Sequence, residues 1–103
     1  MVKASFIGRS GALEGFRVCG HSGYARAGQD IVCAAVSAMT MYTVNLLTEE
    51  LGLPCALDVD EESVTIALSL EQASELGSRI LAAFRRELLA LAEEYPQNIL
   101  VKE

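Results

Sequence analysis

The sequence predicts an α+β fold, a two-layer sandwich in which two helices cover one face of a mostly antiparallel sheet in the order ββαββαβ. Two observations predict it. A pair of short alternating stretches joined by a turn occurs twice, and each pair is followed by a longer segment with helical features. A short apolar stretch ends the chain. At 103 residues, the pattern fits one domain over residues 1–103.

The first hairpin is predicted from residues 2–8 and 13–19, which alternate loosely between apolar and polar positions. Arg9, Ser10 and Gly11 between them supply the turn. Neither face of these strands is cleanly polar. We therefore expect the sheet to be covered on both sides or to be used at an interface.

A glycine-rich loop over residues 20–28 leads into the first helix. Asp30 is the predicted N-cap, because its carboxylate can accept the unpaired N–H groups of a first turn. The helix should run to about Leu51 and stop near Gly52 and Pro54. Almost every residue in its first four turns is apolar, which predicts burial on most sides. A chain of this length has difficulty surrounding such a helix, so we expect a homodimer.

The second half repeats the pattern. Residues 55–60 and 63–69 form the second predicted hairpin. A second helix is predicted over residues 71–95, with Ser69 as its cap. Apolar residues recur in it at spacings of three and four, as is typical of an amphipathic helix on a sheet. Residues 98–101 form the final predicted strand.

Composition excludes several functions. The formal net charge of −6 argues against binding nucleic acid through its phosphates and favours a basic partner. The N-terminus lacks the apolar core of a signal peptide. The longest apolar run, residues 31–47, is interrupted by polar residues and falls short of the roughly 20 apolar residues of a membrane span. We therefore expect a cytoplasmic protein that does not bind a membrane.

The cysteines do not suggest a disulfide framework, because there are three of them at irregular spacing. Cys19, His21 and Cys33 could form only an incomplete zinc site, and the paired spacing typical of structural zinc is absent. No dinucleotide-binding or phosphate-binding glycine motif occurs. We expect neither a metal nor a cofactor.

Two residues could support thiolate chemistry. Cys33 falls at the third position of the first predicted helix, where backbone N–H groups and the helix dipole favour a thiolate. His21, the single histidine, leads the glycine-rich loop and could accept the thiol proton. Without a catalytic role, Cys33 would be a buried core thiol and His21 an exposed loop residue. The chemistry of each residue alone favours this non-catalytic interpretation.

Three further polar residues could support this pair. Asp30 could orient His21 or cap the helix, and capping is favoured because a carboxylate near Cys33 opposes thiolate formation. Ser37 lies one turn after Cys33 and could bind substrate, although back-bonding to a helix carbonyl is more common. Ser22 is either a turn residue or a polar contact in the site.

The stretch GHSGYARAGQDIVCAAVSA, which begins at Gly20, resembles the signature of the ribosomal-processing cysteine protease family Prp. That signature is a Gly-His-Ala/Ser start, a glycine-rich loop and then G-x-D-I-V-C-A-A-V-S. Ser22 stands where alanine is common. Length and element order also agree over nearly the whole chain. The matching residues are Gly20, His21, Gly28, Asp30, Ile31, Val32, Cys33, Ala34, Ala35, Val36 and Ser37.

The resemblance implies a cysteine endopeptidase with Cys33 as nucleophile and His21 as base. It also implies a substrate, the N-terminal extension of ribosomal large-subunit protein twenty-seven, which is removed during ribosome assembly. The resemblance further implies a homodimer and a histidine loop that moves when substrate binds. The supporting residues are then Gly20, Ser22, Asp30 and Ser37.

Two other functions fit the same residues. The first is a ribosome-associated binding protein without enzymatic activity, in which Cys33 would be dispensable. The second is a thiol redox sensor, in which Cys19 would be the resolving thiol for Cys33.

Overall fold

The computed structural model describes residues 1–21, 23–26 and 29–102. Within these residues, five strands form one sheet and two helices pack against it, so the predicted α+β class and the order ββαββαβ are confirmed. The elements are β1 (Val2–Arg9), β2 (Ala12–Cys19), α1 (Ile31–Asn45), β3 (Cys55–Asp60), β4 (Thr65–Leu70), α2 (Glu75–Glu94) and β5 (Ile99–Lys102).

The sheet has the strand order β3-β4-β2-β1-β5. Strand β1 pairs antiparallel with β2, and β3 with β4, as their hairpin connections require. Strands β2 and β4, which are not consecutive in the chain, also pair antiparallel and join the two hairpins. The exception is β5, which lies parallel to β1 because the chain returns to the sheet through α2. The prediction of a mostly antiparallel sheet is therefore confirmed.

The core lies between the helices and one face of the sheet. Alternate residues of β1 and β2 point into it. The rings of Phe6, Phe16 and Phe84 of α2 pack against one another, with centroids 5.0–6.3 Å apart. Leu81 and Leu88 of α2 are fully buried against the same face. The opposite face is open in a single chain, where its exposed residues include Lys3, Ile7 and Arg17.

Helix α1 is less buried in one chain than its composition predicts. One side packs on the core, but Ile31, Met41 and Tyr42 are 56%, 42% and 70% exposed. The expectation of burial on most sides is therefore wrong for the single chain, because the sheet and α2 reach only one side of the helix. Its buried residues are Val32, Val36, Thr40, Thr43 and Val44.

Buried threonines in α1 have satisfied hydroxyl groups. Thr40 donates to the carbonyl of Val36 and Thr43 donates to the carbonyl of Met39, both at 2.7 Å.

The helical segment Ile31–Glu50 is long and apolar enough to cross a membrane. This is a weak indication, because core helices of soluble proteins pass the same test.

The helix that begins at Ile31 ends close to the predicted Leu51, whereas the start of the second helix differs from the prediction. The first helix is α-helical only to Asn45 and continues as a π-helical turn over Leu46–Glu50. Helix α2 begins at Glu75 and is capped by Ser74, whose hydroxyl accepts the N–H of Gly77 at 2.9 Å. The predicted cap, Ser69, is instead part of β4.

The reason for this difference is tertiary pairing. Ser69 lies opposite Gly15 of β2 and opposite Ala56 of β3, so two neighbouring strands keep it extended. The other boundaries shift by one or two residues: β4 begins at residue 65 rather than 63, and β5 spans residues 99–102 rather than 98–101.

Two adjacent leucines of α2 test the packing. Leu88 is 0% exposed and Leu89 is 41% exposed. We expect Leu88→Ala to lower the free energy of unfolding by about 2–5 kcal/mol, because it leaves a cavity in the core. Leu89→Ala should cost less than about 1 kcal/mol. Urea unfolding at one fixed protein concentration measures both values, and equal losses would contradict this description of the core.

Candidate active site

A cavity of about 700 Å³ lies between the glycine-rich loop and the first turns of α1. Four residues singled out in the sequence border it: His21, Asp30, Cys33 and Ser37. These residues are separated by up to 16 positions in the chain, so the fold brings them together. Ser22 lies outside the described residues.

Cys33 is presented by a capped helix start. It is the third residue of α1, and its backbone N–H donates to Oδ1 of Asp30 at 2.9 Å. Asp30 is therefore the N-cap. Cys33 is partly exposed and borders the cavity, so its thiol differs from the fully buried core thiol of the alternative interpretation.

The second carboxylate oxygen of Asp30 fixes the loop. Oδ2 accepts the backbone N–H groups of Tyr24 at 3.2 Å and Ala25 at 3.4 Å. The ring of Tyr24 also packs edge-on against Tyr95 at the end of α2, with ring centroids 5.4 Å apart. The loop is thus attached both to the start of α1 and to the end of α2.

Gly20 fixes the other side of the same loop. Its φ of +92° lies in the region that favours glycine, and a Cβ there would lie 2.5 Å from the carbonyl oxygen of Met1. Its N–H donates to the carbonyl of Val64 at 3.1 Å. His21 follows directly and is exposed at the edge of the cavity.

The other two cysteines lie in strands. Cys55 begins β3, where burial and then the nearby Glu71 carboxylate raise the pKa of its thiol. A raised pKa reduces the thiolate fraction of Cys55 at neutral pH. Cys19 ends β2 and is partly buried. None of the three cysteines forms a disulfide, and of the three only Cys33 borders the cavity.

No metal cluster is found within residues 1–21, 23–26 and 29–102, where no three His, Cys, Asp or Glu side chains are grouped as ligands. Tyr24 and Val64 also hold the loop, although neither was predicted to belong to the site. Neither has a recognisable signal in the sequence, because each acts through a partner more than 40 residues away.

The chain matches the family described as cysteine protease Prp over residues 1–100. It belongs to the Prp family. The resemblance found in residues 20–38 is therefore confirmed over nearly the whole chain, and with it the assignment as a cysteine protease. No curated protein matches the chain.

Solved structures agree with the Prp assignment. A Streptococcus mutans protein is 34% identical, with 99% of this chain and 92% of that one covered and a TM-score of 0.85. The essential ribosomal processing protease Prp of Staphylococcus aureus, covalently linked to a product peptide, is 23% identical over the full length of both chains, with a TM-score of 0.90. The same S. aureus protease with a substrate peptide is 22% identical over the full length of both chains, with a TM-score of 0.84.

The double role of Asp30 can be tested against a second helix cap. Asp30→Ala should lower the free energy of unfolding by about 1 kcal/mol, and Ser74→Ala should cost a similar amount. Only Asp30→Ala should accelerate hydrogen exchange at the amides of Tyr24 and Ala25, by roughly tenfold, because only it removes their acceptor. Exchange measured by NMR at matched pH separates the two variants. Unchanged exchange in Asp30→Ala would show that the loop is held in another way.

Proposed function

We propose that the chain is a cysteine endopeptidase that removes the N-terminal extension of ribosomal large-subunit protein twenty-seven during ribosome assembly. The observation that carries this proposal is the cavity bordered by both Cys33 and His21 in a member of a cysteine protease family. The S. aureus structures support the substrate class, because they describe a ribosomal processing protease with substrate and product peptides.

In the proposed mechanism, His21 accepts the Cys33 thiol proton and the sulfur attacks the scissile carbonyl carbon. Collapse of the tetrahedral intermediate breaks the C–N bond, and His21 returns the proton to the leaving amine. Water, deprotonated by His21, then hydrolyses the thioester and restores the thiol. No cofactor enters these steps.

The negatively charged oxygen of the tetrahedral intermediate needs hydrogen-bond donors, and the first turn of α1 supplies only some of them. The N–H of Cys33 is engaged by the Asp30 side chain and the N–H of Ala34 by the Asp30 carbonyl. Side chains on the cavity wall therefore become the candidates, namely the Gln29 amide and the Ser37 hydroxyl. This gives Ser37 a role in binding the transition state.

We also infer a homodimer in the cytoplasm. The exposed apolar side chains of α1, including Met41 and Tyr42, favour burial against a second copy. The net charge of −6 suits a basic ribosomal protein as substrate. A cytoplasmic location follows from a substrate that is processed during ribosome assembly.

Cleavage of a synthetic peptide that copies the ribosomal extension tests the proposal. Wild-type protein should cleave it at one bond, and Cys33→Ala should abolish cleavage. His21→Ala should reduce kcat/KM by about 10²–10⁴-fold, the usual contribution of a positioned base. Mass spectrometry identifies the fragments.

Cys55→Ser is the matched control, because it removes a thiol outside the cavity and should cleave as the wild type does. Cleavage by Cys33→Ala at the wild-type rate would contradict the proposal. Retention of cellular function by Cys33→Ala would favour the alternative of a non-enzymatic ribosome-associated protein.

A further inference from the structure

A second, apolar groove of about 280 Å³ opens beside the cavity, between α1 and the turn that joins β3 to β4. Cys33 and Ser37 line both the cavity and the groove. A peptide whose scissile carbonyl lies at Cys33 therefore has a neighbouring side chain within reach of the groove. The apolar walls of the groove come from both sides and include Val36, Val59, Val64 and Ile66.

Val64 has an unusual backbone conformation for a valine. Its φ is +51°, in the left-handed region that β-branched residues disfavour, at a cost of about 1–3 kcal/mol. Its side chain is 39% exposed, so core packing does not explain why valine is present. Glycine or asparagine would fit this backbone with less strain. The position therefore points to a use for the side chain itself.

The turn before Val64 is closed by side-chain hydrogen bonds. Oδ1 of Asp60 accepts the N–H of Glu62 at 3.0 Å and of Ser63 at 3.4 Å. The hydrogen bonds from Ser63, and to a smaller extent the one from Glu62, lower the pKa of the Asp60 carboxyl. The Ser63 hydroxyl lies 2.8 Å from the Thr65 hydroxyl. The surrounding turn thus holds Val64 in its left-handed conformation.

The carbonyl of Val64 joins this turn to the histidine loop. It accepts the N–H of Gly20 at 3.1 Å, and Gly20 immediately precedes His21. Val64 therefore contacts two parts of the site. Its side chain borders the groove next to Cys33, and its carbonyl holds the backbone from which His21 extends.

We propose that Val64 is the residue that determines specificity in the groove and positions the histidine loop. Its side chain receives an apolar side chain of the peptide substrate next to the scissile bond, and its carbonyl fixes the backbone that presents His21 to Cys33. The inference rests on the proposed protease function and deepens it.

Two substitutions separate these roles. Val64→Thr keeps the β-branched shape and the backbone but places a hydroxyl in the apolar groove. It should raise KM for the ribosomal-extension peptide by about tenfold with little change in kcat. Val64→Gly fits the positive φ but removes the side chain and loosens the carbonyl. It should raise KM and also lower kcat by about tenfold, because His21 is less well placed.

Ser10→Gly is the matched control. Ser10 has a φ of +56°, the other positive value among the described non-glycine residues. It lies in the turn between β1 and β2, at the opposite end of these strands from Cys19 and Gly20. It should keep wild-type kcat and KM. Val64→Gly should unfold at the wild-type temperature or above, because relief of strain offsets the lost side chain, so its kinetic defect is not a folding defect.

The outcomes distinguish this inference from the protease proposal. Wild-type kcat and KM in both Val64 variants would overturn the role of Val64 and leave the protease intact. If the wild type does not cleave the peptide, the protease proposal fails, and peptide binding to Cys33→Ala protein decides about Val64. Weaker binding when Val64→Thr is added to Cys33→Ala supports the groove. Equal binding, or none, overturns it.

Discussion

The arrangement of the site depends on the hydrogen bonds that the Asp30 carboxylate accepts. One oxygen caps α1 at the N–H of Cys33, and the other accepts loop amides, including that of Tyr24. Because one side chain serves both elements, the helix start and the loop keep a fixed relation. The same carboxylate lies at the N-terminus of α1, where it interacts favourably with the helix dipole. In the proposed mechanism, His21 takes the thiol proton of Cys33.

The loop has a second fixed point at Gly20. There the support comes from the sheet, since Gly20 bonds to Val64 at the start of β4 and packs against the carbonyl of Met1 before β1. Phe6 and Phe16 on the buried face of the sheet pack against Phe84 of α2, which helps to hold the strands in place. The position of His21 thus depends on core packing as well as on local hydrogen bonds.

Local signals in the sequence predicted much of this arrangement. The order of elements follows from periodicity, and the Asp30 cap involves residues only three positions apart, so both were accessible. The cap of α2 could not be predicted, because Ser69 and Ser74 are both serines that could cap a helix. Only the pairing of Ser69 with a neighbouring strand excludes it as the cap. Val64 contradicts residue preferences at its φ, so no propensity could have placed it there. The exposed side of α1 could not be predicted, because its composition does not say how far the sheet and α2 extend around the helix.

Covalent trapping tests the central claim that Asp30 holds Cys33 and His21 around one reactive cavity. A chloromethyl ketone of the ribosomal-extension peptide loses chloride when a thiolate attacks it, and peptide mapping locates the adduct. We expect one adduct, on Cys33, that forms at the wild-type rate in Ser74→Ala and much more slowly in Asp30→Ala. An adduct on Cys19 or Cys55, or an undiminished rate in Asp30→Ala, would contradict it.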